Sequence, residues 1–310
     1  MSNTLPHLTG IEDLDKEEII SLLDRAQSYA DKLEKGNWKS GLLKDKVILQ
    51  LFFEASTRTR ISFEMAAKRL GASVINWSAE SSSMKKDESF LDTIQTLGAM
   101  KPDAVVIRHA EYNAPYFVST QMECPVINAG DSYHEHPSQA LLDALTIRQA
   151  KGKIEGLTVT ICGDVAHSRV ANSNMMLLDK LGAHLRVIAP YELMPENFPV
   201  AKGEVKTFSS LEEGLPGSDI VMVLRIQKER MESSLIPDTT QYFRSFGLTP
   251  DRLDLAGPDA LVMHPGPMNR GVEISDDMAD HPTRCLVKKQ VANGIPTRMA
   301  ILDRAFSSSK

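Results

Sequence analysis

Short apolar segments alternate with longer helical segments along most of this 310-residue chain. The short segments, such as residues 47–53, are almost uninterrupted apolar runs, without the polar alternation of a strand that has one face in water. Strands of this kind are covered on both faces, as in a parallel sheet. The regular alternation with helices therefore predicts a doubly wound α/β fold.

The alternation occurs twice, which predicts two domains. The predicted strands are residues 47–53, 73–77, 104–107 and 125–128 in the first half, and 157–162, 185–189, 219–224 and 260–263 in the second. Pro137, at a first helical position, begins a long helix that would join the domains and end near Gly152. The last stretch, 284–306, is predicted to be helical with a break at 294–296 and to return to the first domain. The expected domains are 1–138 with the C-terminal helix 292–310, and 139–291.

Helix boundaries are marked by local signals. Asp15 and Glu18 form a capping box at the start of an amphipathic helix that ends near Gly36. A second helix, 61–70, is followed by Gly71 at a C-cap position. Further helices are predicted at 88–100, 113–121 and 169–181.

Charge and cysteine content exclude several classes of protein. The net charge of −6 gives no overall basic surface for nucleic acid or an anionic membrane. Cys124, Cys162 and Cys285 are few and widely spaced, which predicts neither a disulfide framework nor a C-x-x-C motif and favours a reduced, cytoplasmic protein. Neither a signal peptide nor an apolar run of 18 residues is evident.

The first predicted strand is followed by an anion-binding sequence, Ser56-Thr57-Arg58-Thr59-Arg60. It lies at a helix N-terminus, where unpaired backbone N–H groups and the helix dipole favour negative charge. The two arginines can add forked hydrogen bonds to phosphate oxygens. The segment lacks the glycines and lysine of a P-loop, so a phosphate site of another kind is predicted.

Other polar groups also follow predicted strands, where ligands bind in open α/β sheets. Four of six strand ends carry an arginine, in a protein that is acidic overall, and this predicts a pocket for several anionic groups. The residues are Arg108 and His109; His136, Pro137, Ser138 and Gln139; Gly163, Asp164, His167, Ser168 and Arg169; Arg225, Ile226 and Gln227; and His264, Pro265, Gly266 and Pro267. No G-x-G-x-x-G motif supports a dehydrogenase, and His134 with His136 is too weak a signal for a metal site.

These motifs resemble the aspartate/ornithine carbamoyltransferase family nearly end to end. The family's S-T-R-T-R stands at 56–60, its H-P-x-Q at 136–139, its mobile lysine loop at 81–89 and the aspartate-side R-x-Q-x-E-R at 225–230. The resemblance implies a carbamoyl phosphate domain followed by an amino-acid domain. It also implies transfer of the carbamoyl group to an amine without a metal or organic cofactor, as a committed step of pyrimidine synthesis when the acceptor is aspartate.

The resemblance also implies residue roles. Thr59, Arg108 and His136 would act on the carbonyl oxygen, and Arg58 would hold the phosphate, while Lys86 would enter the site of a neighbouring subunit in a homotrimer. The residues implied in catalysis are Arg58, Thr59, Lys86, Arg108 and His136. Carbamoyl phosphate would contact Ser56, Thr57, Arg58, Thr59, Ser82, Arg108, His136 and Gln139. Aspartate would contact Lys86, Arg169, Arg225, Gln227, Gly266 and Pro267.

Aspartate is favoured over ornithine as the acceptor. The sequence has His264-Pro265-Gly266-Pro267 where ornithine enzymes carry H-C-L-P, and two carboxylates suit Arg169 and Arg225. The longer segment from His264 to Glu273, H-P-G-P-x-N-R-G-V-E, resembles members that work as plain catalytic trimers, so a regulatory or dihydroorotase partner is not favoured. Transfer to ornithine, and a silent homologue that only binds anions, are the alternatives left open.

Overall fold

A computed structural model describes residues 5–36, 38–78, 89–226 and 238–307. The chain divides into two units, Met1–Leu145 with Asn293–Lys310 (unit 1), and Thr146–Ala292 (unit 2). Each unit contains one parallel sheet with its helices, so the predicted pair of doubly wound α/β domains is confirmed.

Unit 1 contains sheet A, with the strand order β2-β1-β3-β4 and every pairing parallel. Apolar strand residues are buried on both faces of the sheet: in β1, Leu51 is 0% exposed on one face and Ile48 is 0% exposed on the other. The elements are α1 (Lys16–Glu34), β1 (Val47–Phe52), α2 (Thr57–Leu70), β2 (Ser73–Ser78), α3 (Phe90–Ala99), β3 (Ala104–His109), α4 (Ala114–Gln121) and β4 (Val126–Asp131).

The capping signals predicted for unit 1 are confirmed. The Asp15 side chain accepts from the Glu18 N–H, and the Glu18 side chain accepts from the Asp15 N–H, so the capping box is complete. Gly71 follows α2 in the left-handed conformation. Helix α2 begins at Thr57, four residues before the predicted helix, so the anion-binding sequence forms its N-cap and first turn.

Unit 2 contains sheet B, with the strand order β7-β6-β5-β8-β9 and every pairing parallel. Helix α5 (Pro137–Lys151) begins in unit 1 and ends in unit 2. The remaining elements are β5 (Thr158–Cys162), α6 (Arg169–Lys180), β6 (His184–Ile188), β7 (Val205–Phe208), α7 (Leu211–Gly214), β8 (Ile220–Val223), α8 (Thr239–Phe246), α9 (Pro250–Leu253), β9 (Leu261–Met263) and α10 (Asp276–Ala279).

The C-terminal helix α11 (Val287–Phe306) runs without the break predicted at 294–296, so that prediction is wrong. Pro296 lies inside the helix, where a proline removes one backbone hydrogen bond. The helix continues because its unit 1 portion is packed: Met299, Ile301 and Leu302 are at most 2% exposed. As predicted, this portion belongs to the first unit, where the Tyr29 hydroxyl of α1 donates to Asp303 at 2.9 Å.

The N-terminal segment extends sheet A beyond β4. The Leu8 N–H donates to the Val126 carbonyl at 2.9 Å, and the Asn128 N–H donates to the Leu8 carbonyl at 2.8 Å. Arg304 of α11 donates to the His7 carbonyl at 2.9 Å and to Glu18 at 3.0 Å. Both ends of the chain therefore complete unit 1.

Among the residues the structure describes, none of the helices combines the length and the apolar character that crossing a membrane requires.

Candidate active site

Strand order fixes where a ligand site can form in each sheet. In sheet A the chain passes from β1 to β2 on one side and then to β3 on the other side of β1. In sheet B it passes from β5 through β6 and β7, and then to β8 on the other side of β5. Crevices outside the carboxyl ends of strands, at such switch points, are where open α/β sheets bind ligands. Each unit therefore has one favoured location.

The switch point of sheet A is occupied by the predicted phosphate site. Ser56 is the N-cap of α2, and its side chain makes no capping hydrogen bond. The first turn contains no acidic residue, so nothing there competes for the backbone N–H groups. Thr57 and Arg58 are exposed and Thr59 is 7% exposed. The geometry fits an anion at the start of α2.

Arg108 lies at the same edge of sheet A. It pairs in register with Phe52, the last residue of β1, and therefore belongs to β3 rather than following it. Its Nε donates to Glu54 Oε2 at 3.1 Å, with both side chains mostly buried. Glu54 is a residue that the motif analysis missed, although its position directly after the predicted strand 47–53 was a signal. The pair holds the Arg108 guanidinium beside the start of α2.

His136 and Gln139 are brought to this edge by β4, the neighbour of β3. His136 directly precedes α5 and is 4% exposed. Gln139 is 9% exposed, and its Nε2 donates to Asp143 Oδ1 one turn along the helix at 3.0 Å. The preceding Glu135 accepts from the Ile11 N–H at 2.9 Å, which ties this turn to the N-terminal segment.

A buried carboxylate organises the turn before His136. Asp131 accepts from the Asn113 N–H, from Asn128 Nδ2 at 2.8 Å and from the Glu135 N–H. Burial alone would raise the pKa of Asp131, but hydrogen bonds from His134 and Asn128 outweigh it, and the pKa is lowered. The bond to Asp131 in turn raises the pKa of His134, against the effect of burial. His134 is therefore part of an ion pair that supports the turn.

The switch point of sheet B lies between β5 and β8. Gly163 follows β5 with φ +117°, and a Cβ there would lie 3.1 Å from the Leu224 carbonyl oxygen, so only glycine allows this approach. Asp164 is fully buried, and its Oδ1 lies 2.7 Å from His167 Nδ1. These contacts order the turn that connects β5 to α6.

Arg169 is the first residue of α6 and is 4% exposed. The preceding Ser168 is the N-cap, and its side chain accepts from the Ala171 N–H at 3.2 Å. Arg225 follows β8 and is half-buried. Because β5 and β8 are parallel neighbours, both arginines follow adjacent strands at the same edge of sheet B.

The third predicted segment follows β9, the next strand along. His264 is buried, while Gly266 is half-buried and Pro267 exposed, and the Gly266–Pro267 peptide bond is cis. Sheet B thus brings Arg169, Arg225 and the turn at 264–267 to one edge.

Lys86, Ser82 and Gln227 lie outside the described residues. Within the described ranges, no group of three or more His, Cys, Asp or Glu side chains is placed to hold a metal ion.

Two family models together match most of the chain. The family model described as "Aspartate/ornithine carbamoyltransferase, carbamoyl-P binding domain" matches residues 6–149, and the one described as "Aspartate/ornithine carbamoyltransferase, Asp/Orn binding domain" matches residues 155–305. Curated relatives named aspartate carbamoyltransferase catalytic subunit are 53% identical. That of Granulibacter bethesdensis aligns over 96% of this chain and 94% of its own length, and that of Rhodospirillum rubrum over 96% and 92%.

Solved structures of the same kind share the fold. Aspartate transcarbamoylase from Trypanosoma cruzi in complex with N-(phosphonacetyl)-L-aspartic acid is 31% identical, with a TM-score of 0.87 and coverage of 98% of this chain and 96% of that one. The catalytic subunit of M. jannaschii aspartate transcarbamoylase is 34% identical, with a TM-score of 0.83 and coverage of 97% and 98%. The chain belongs to the aspartate/ornithine carbamoyltransferase family.

Proposed function

We infer that the chain transfers the carbamoyl group of carbamoyl phosphate to the α-amine of L-aspartate, giving N-carbamoyl-L-aspartate and phosphate. The carrying observation is the placement of cationic groups at both switch points: the start of α2 with Arg108 in unit 1, and Arg169 with Arg225 in unit 2. Relatives named for this activity align over 96% of the chain. The pathway this implies is pyrimidine synthesis.

Unit 1 is proposed to bind carbamoyl phosphate. The phosphate accepts from the first N–H groups of α2 and from Ser56, Thr57 and Arg58, while Gln139 contacts the carbamoyl amide. Ser82 joins this set from the segment outside the described residues. Charge-assisted hydrogen bonds of this type contribute about 1.5–3 kcal/mol each.

Unit 2 is proposed to bind aspartate. The two carboxylates of the substrate are matched by Arg169 and Arg225, with Gly266 and Pro267 forming the adjoining wall. Lys86 and Gln227 complete the set from segments outside the described residues. An ornithine side chain would instead bring a cation to Arg225, which disfavours it.

The reaction forms one C–N bond and breaks one C–O bond. The aspartate amine attacks the carbonyl carbon, negative charge develops on the carbonyl oxygen, and Thr59, Arg108 and His136 donate to that oxygen. The C–O bond to the phosphate then breaks, and the leaving phosphate takes the amine proton. Removing one such donor typically costs about 10²- to 10³-fold in rate. The residues act by orienting the reactants and neutralising charge.

A homotrimer with shared sites is part of the proposal. Ile61 and Met65 of α2, and Ile75 of the edge strand β2, are 40–54% exposed, and apolar surface of this kind supports association with another chain. Mixing Arg58→Ala chains with Lys86→Ala chains should restore part of the activity, because some hybrid sites receive both intact residues. Hybrids as inactive as their parents would contradict site sharing. Sedimentation of the unmixed protein measures the trimer directly.

A cytoplasmic location and activity without a regulatory chain are proposed as well. Cys124, Cys162 and Cys285 are free thiols, as is usual in a reducing compartment. The segment from His264 to Glu273, H-P-G-P-x-N-R-G-V-E, resembles members that work as catalytic trimers.

The test is colorimetric detection of ureido product. The purified chain is incubated with carbamoyl phosphate and either L-aspartate or L-ornithine, with no other protein present. Product from aspartate alone is expected. Product from ornithine would overturn the choice of acceptor, and product from neither would favour a silent or partner-dependent homologue. Arg58→Ala should abolish turnover, whereas Lys68→Ala, which removes one exposed cation from the other end of α2, should not.

A further inference from the structure

A buried, hydrogen-bonded pair of a histidine and a carboxylate adjoins the turn at 264–267. The His264 and Glu273 side chains are 0% and 1% exposed, and His264 Nε2 lies 3.2 Å from Glu273 Oε1. The second carboxylate oxygen, Oε2, is buried without a hydrogen-bond partner among the described residues. A carboxylate at such a depth is costly unless it is paired or hydrogen-bonded, so its remaining contacts matter.

The hydrogen bonds determine which nitrogen of His264 carries the proton. The Gly266 N–H donates to His264 Nδ1 at 2.9 Å, so Nδ1 is an acceptor and carries no proton. Nε2 therefore carries the proton and donates to Glu273. In this way the carboxylate fixes the imidazole, and the imidazole fixes the backbone of Gly266.

The same carboxylate also acts on the segment after β8. Glu273 Oε1 accepts from the backbone N–H of Asn269. The Asn269 side chain then donates from Nδ2 to the Ile226 carbonyl at 3.3 Å. Ile226 directly follows Arg225, so the carboxylate is connected to two of the segments proposed to bind aspartate.

We propose that Glu273 is a positioning residue for the amino-acid substrate: through His264 and Asn269 it holds Gly266 and the backbone next to Arg225 in the binding geometry. The proposal rests on the proposed function of unit 2. It gives Glu273 no contact with the substrate and no role in proton transfer. Its loss should weaken aspartate binding while leaving carbamoyl phosphate binding, assigned to unit 1, unchanged.

Three variants separate the acceptor role of Glu273 from its volume and charge. Glu273→Leu keeps the approximate volume and removes both acceptors. Glu273→Gln keeps an acceptor oxygen for His264 and Asn269. Asn269→Ala removes only the link to Ile226 and leaves the backbone N–H. Glu212→Leu, at an exposed position of unit 2, is the matched control.

Steady-state kinetics and calorimetric titration with carbamoyl phosphate provide the readouts. Misplaced binding groups should raise the KM for aspartate about tenfold or more in Glu273→Leu and several-fold in Asn269→Ala, with a smaller effect on kcat. Glu273→Gln should stay within about threefold of the unmodified chain, because the acceptor is retained. The carbamoyl phosphate Kd should not change in any variant.

Two results would overturn the proposal: a KM for aspartate that is unchanged in Asn269→Ala and Glu273→Leu, or equal losses of carbamoyl phosphate and aspartate binding. If Glu273→Leu does not fold, the comparison of Asn269→Ala with Glu273→Gln decides. An unmodified chain that makes no carbamoyl aspartate would contradict the proposed function instead. The ¹⁵N shifts of the His264 imidazole then still test the positioning contacts, since they report whether Nε2 carries the proton in the absence of turnover.

Discussion

Replacing Gly163 with alanine should damage both stability and aspartate binding. At φ +117° an alanine is strained by about 1–3 kcal/mol. The new Cβ would also lie 3.1 Å from the Leu224 carbonyl oxygen, inside the usual C···O separation of about 3.3 Å. Because that oxygen belongs to the backbone at the end of β8, the strain cannot be relieved by a side-chain rotation. Overpacking of this kind adds about 1–3 kcal/mol.

Gly257 provides a matched control in the same unit. Its φ is +118°, and nothing lies within 4 Å of the position a Cβ would occupy. Gly257→Ala should therefore show the backbone cost alone, about 2–4 °C in Tm per kcal/mol for a unit of this size. Gly163→Ala should melt at least about 2 °C lower than Gly257→Ala. It should also raise the KM for aspartate, since Arg225 follows the displaced Leu224.

Differential scanning calorimetry and aspartate saturation curves measure the two effects. Equal Tm values and equal KM values for Gly163→Ala and Gly257→Ala would refute the contact argument. A lower Tm with an unchanged KM would retain the packing argument but separate Leu224 from the placement of Arg225.

Three further results are expected. The pKa of His134 is raised above its usual 6.5, so the stability that His134 contributes is complete below pH 6.5 and is lost as the pH rises through the raised pKa. The Tm difference between the unmodified chain and His134→Gln should therefore be larger at pH 6 than at pH 9. A constant difference would argue against the ion pair with Asp131. Ser56→Ala should leave the ligand-free Tm unchanged but reduce the stabilisation by carbamoyl phosphate, because Ser56 makes no capping hydrogen bond. Ser168→Ala removes a capping hydrogen bond and should cost about 1 kcal/mol in thermal unfolding. A loss of ligand-free stability in Ser56→Ala would contradict the geometry. Phe63 of α2 is fully buried, so Phe63→Ala should lower the free energy of unfolding by about 3–5 kcal/mol, measured by urea unfolding. A loss below about 1 kcal/mol would show that the surrounding side chains collapse into the space.

Buried strands and strand-end residues were the parts of the fold most accessible from the sequence. Residues 47–53 predicted β1 because a strand covered on both faces has no polar alternation, and the structure places β1 at Val47–Phe52. Once the strands were assigned, parallel topology required the residues following them to share one edge. Arg169 and Arg225 were therefore predicted at the same edge of sheet B without any knowledge of contacts.

The edge strand β7 and the course of α11 could not be predicted in the same way. Val205–Phe208 lies at the edge of sheet B and has exposed residues at its centre, so it lacks the apolar run of a buried strand. Pro296 was a sound local signal for a helix break, but packing of the following turns outweighed it. Local preference is a weak guide where tertiary contacts decide.

Supporting residues of the site were also hidden from sequence reasoning. Glu54 belongs to no recognised motif, and Glu273 is only the last residue of the H-P-G-P-x-N-R-G-V-E pattern, with no role of its own predicted. The importance of both residues comes from burial and from the partners that folding brings to them. A carboxylate in a sequence is by default a solvated surface group. Only the structure shows that hydrogen bonds link Glu273 to the segments that follow β8 and β9.

The two ends of the chain meet in unit 1, and this has a consequence for biosynthesis. Unit 2 is continuous, whereas unit 1 requires residues 293–307, which a ribosome delivers after all of unit 2. During translation, residues 5–145 cannot complete the packing of unit 1 until α11 has been synthesised. The contacts of Arg304 with His7 and Glu18 therefore form last. Unit 2 can fold as soon as it emerges, so the domain synthesised second is the first to have all of its residues available.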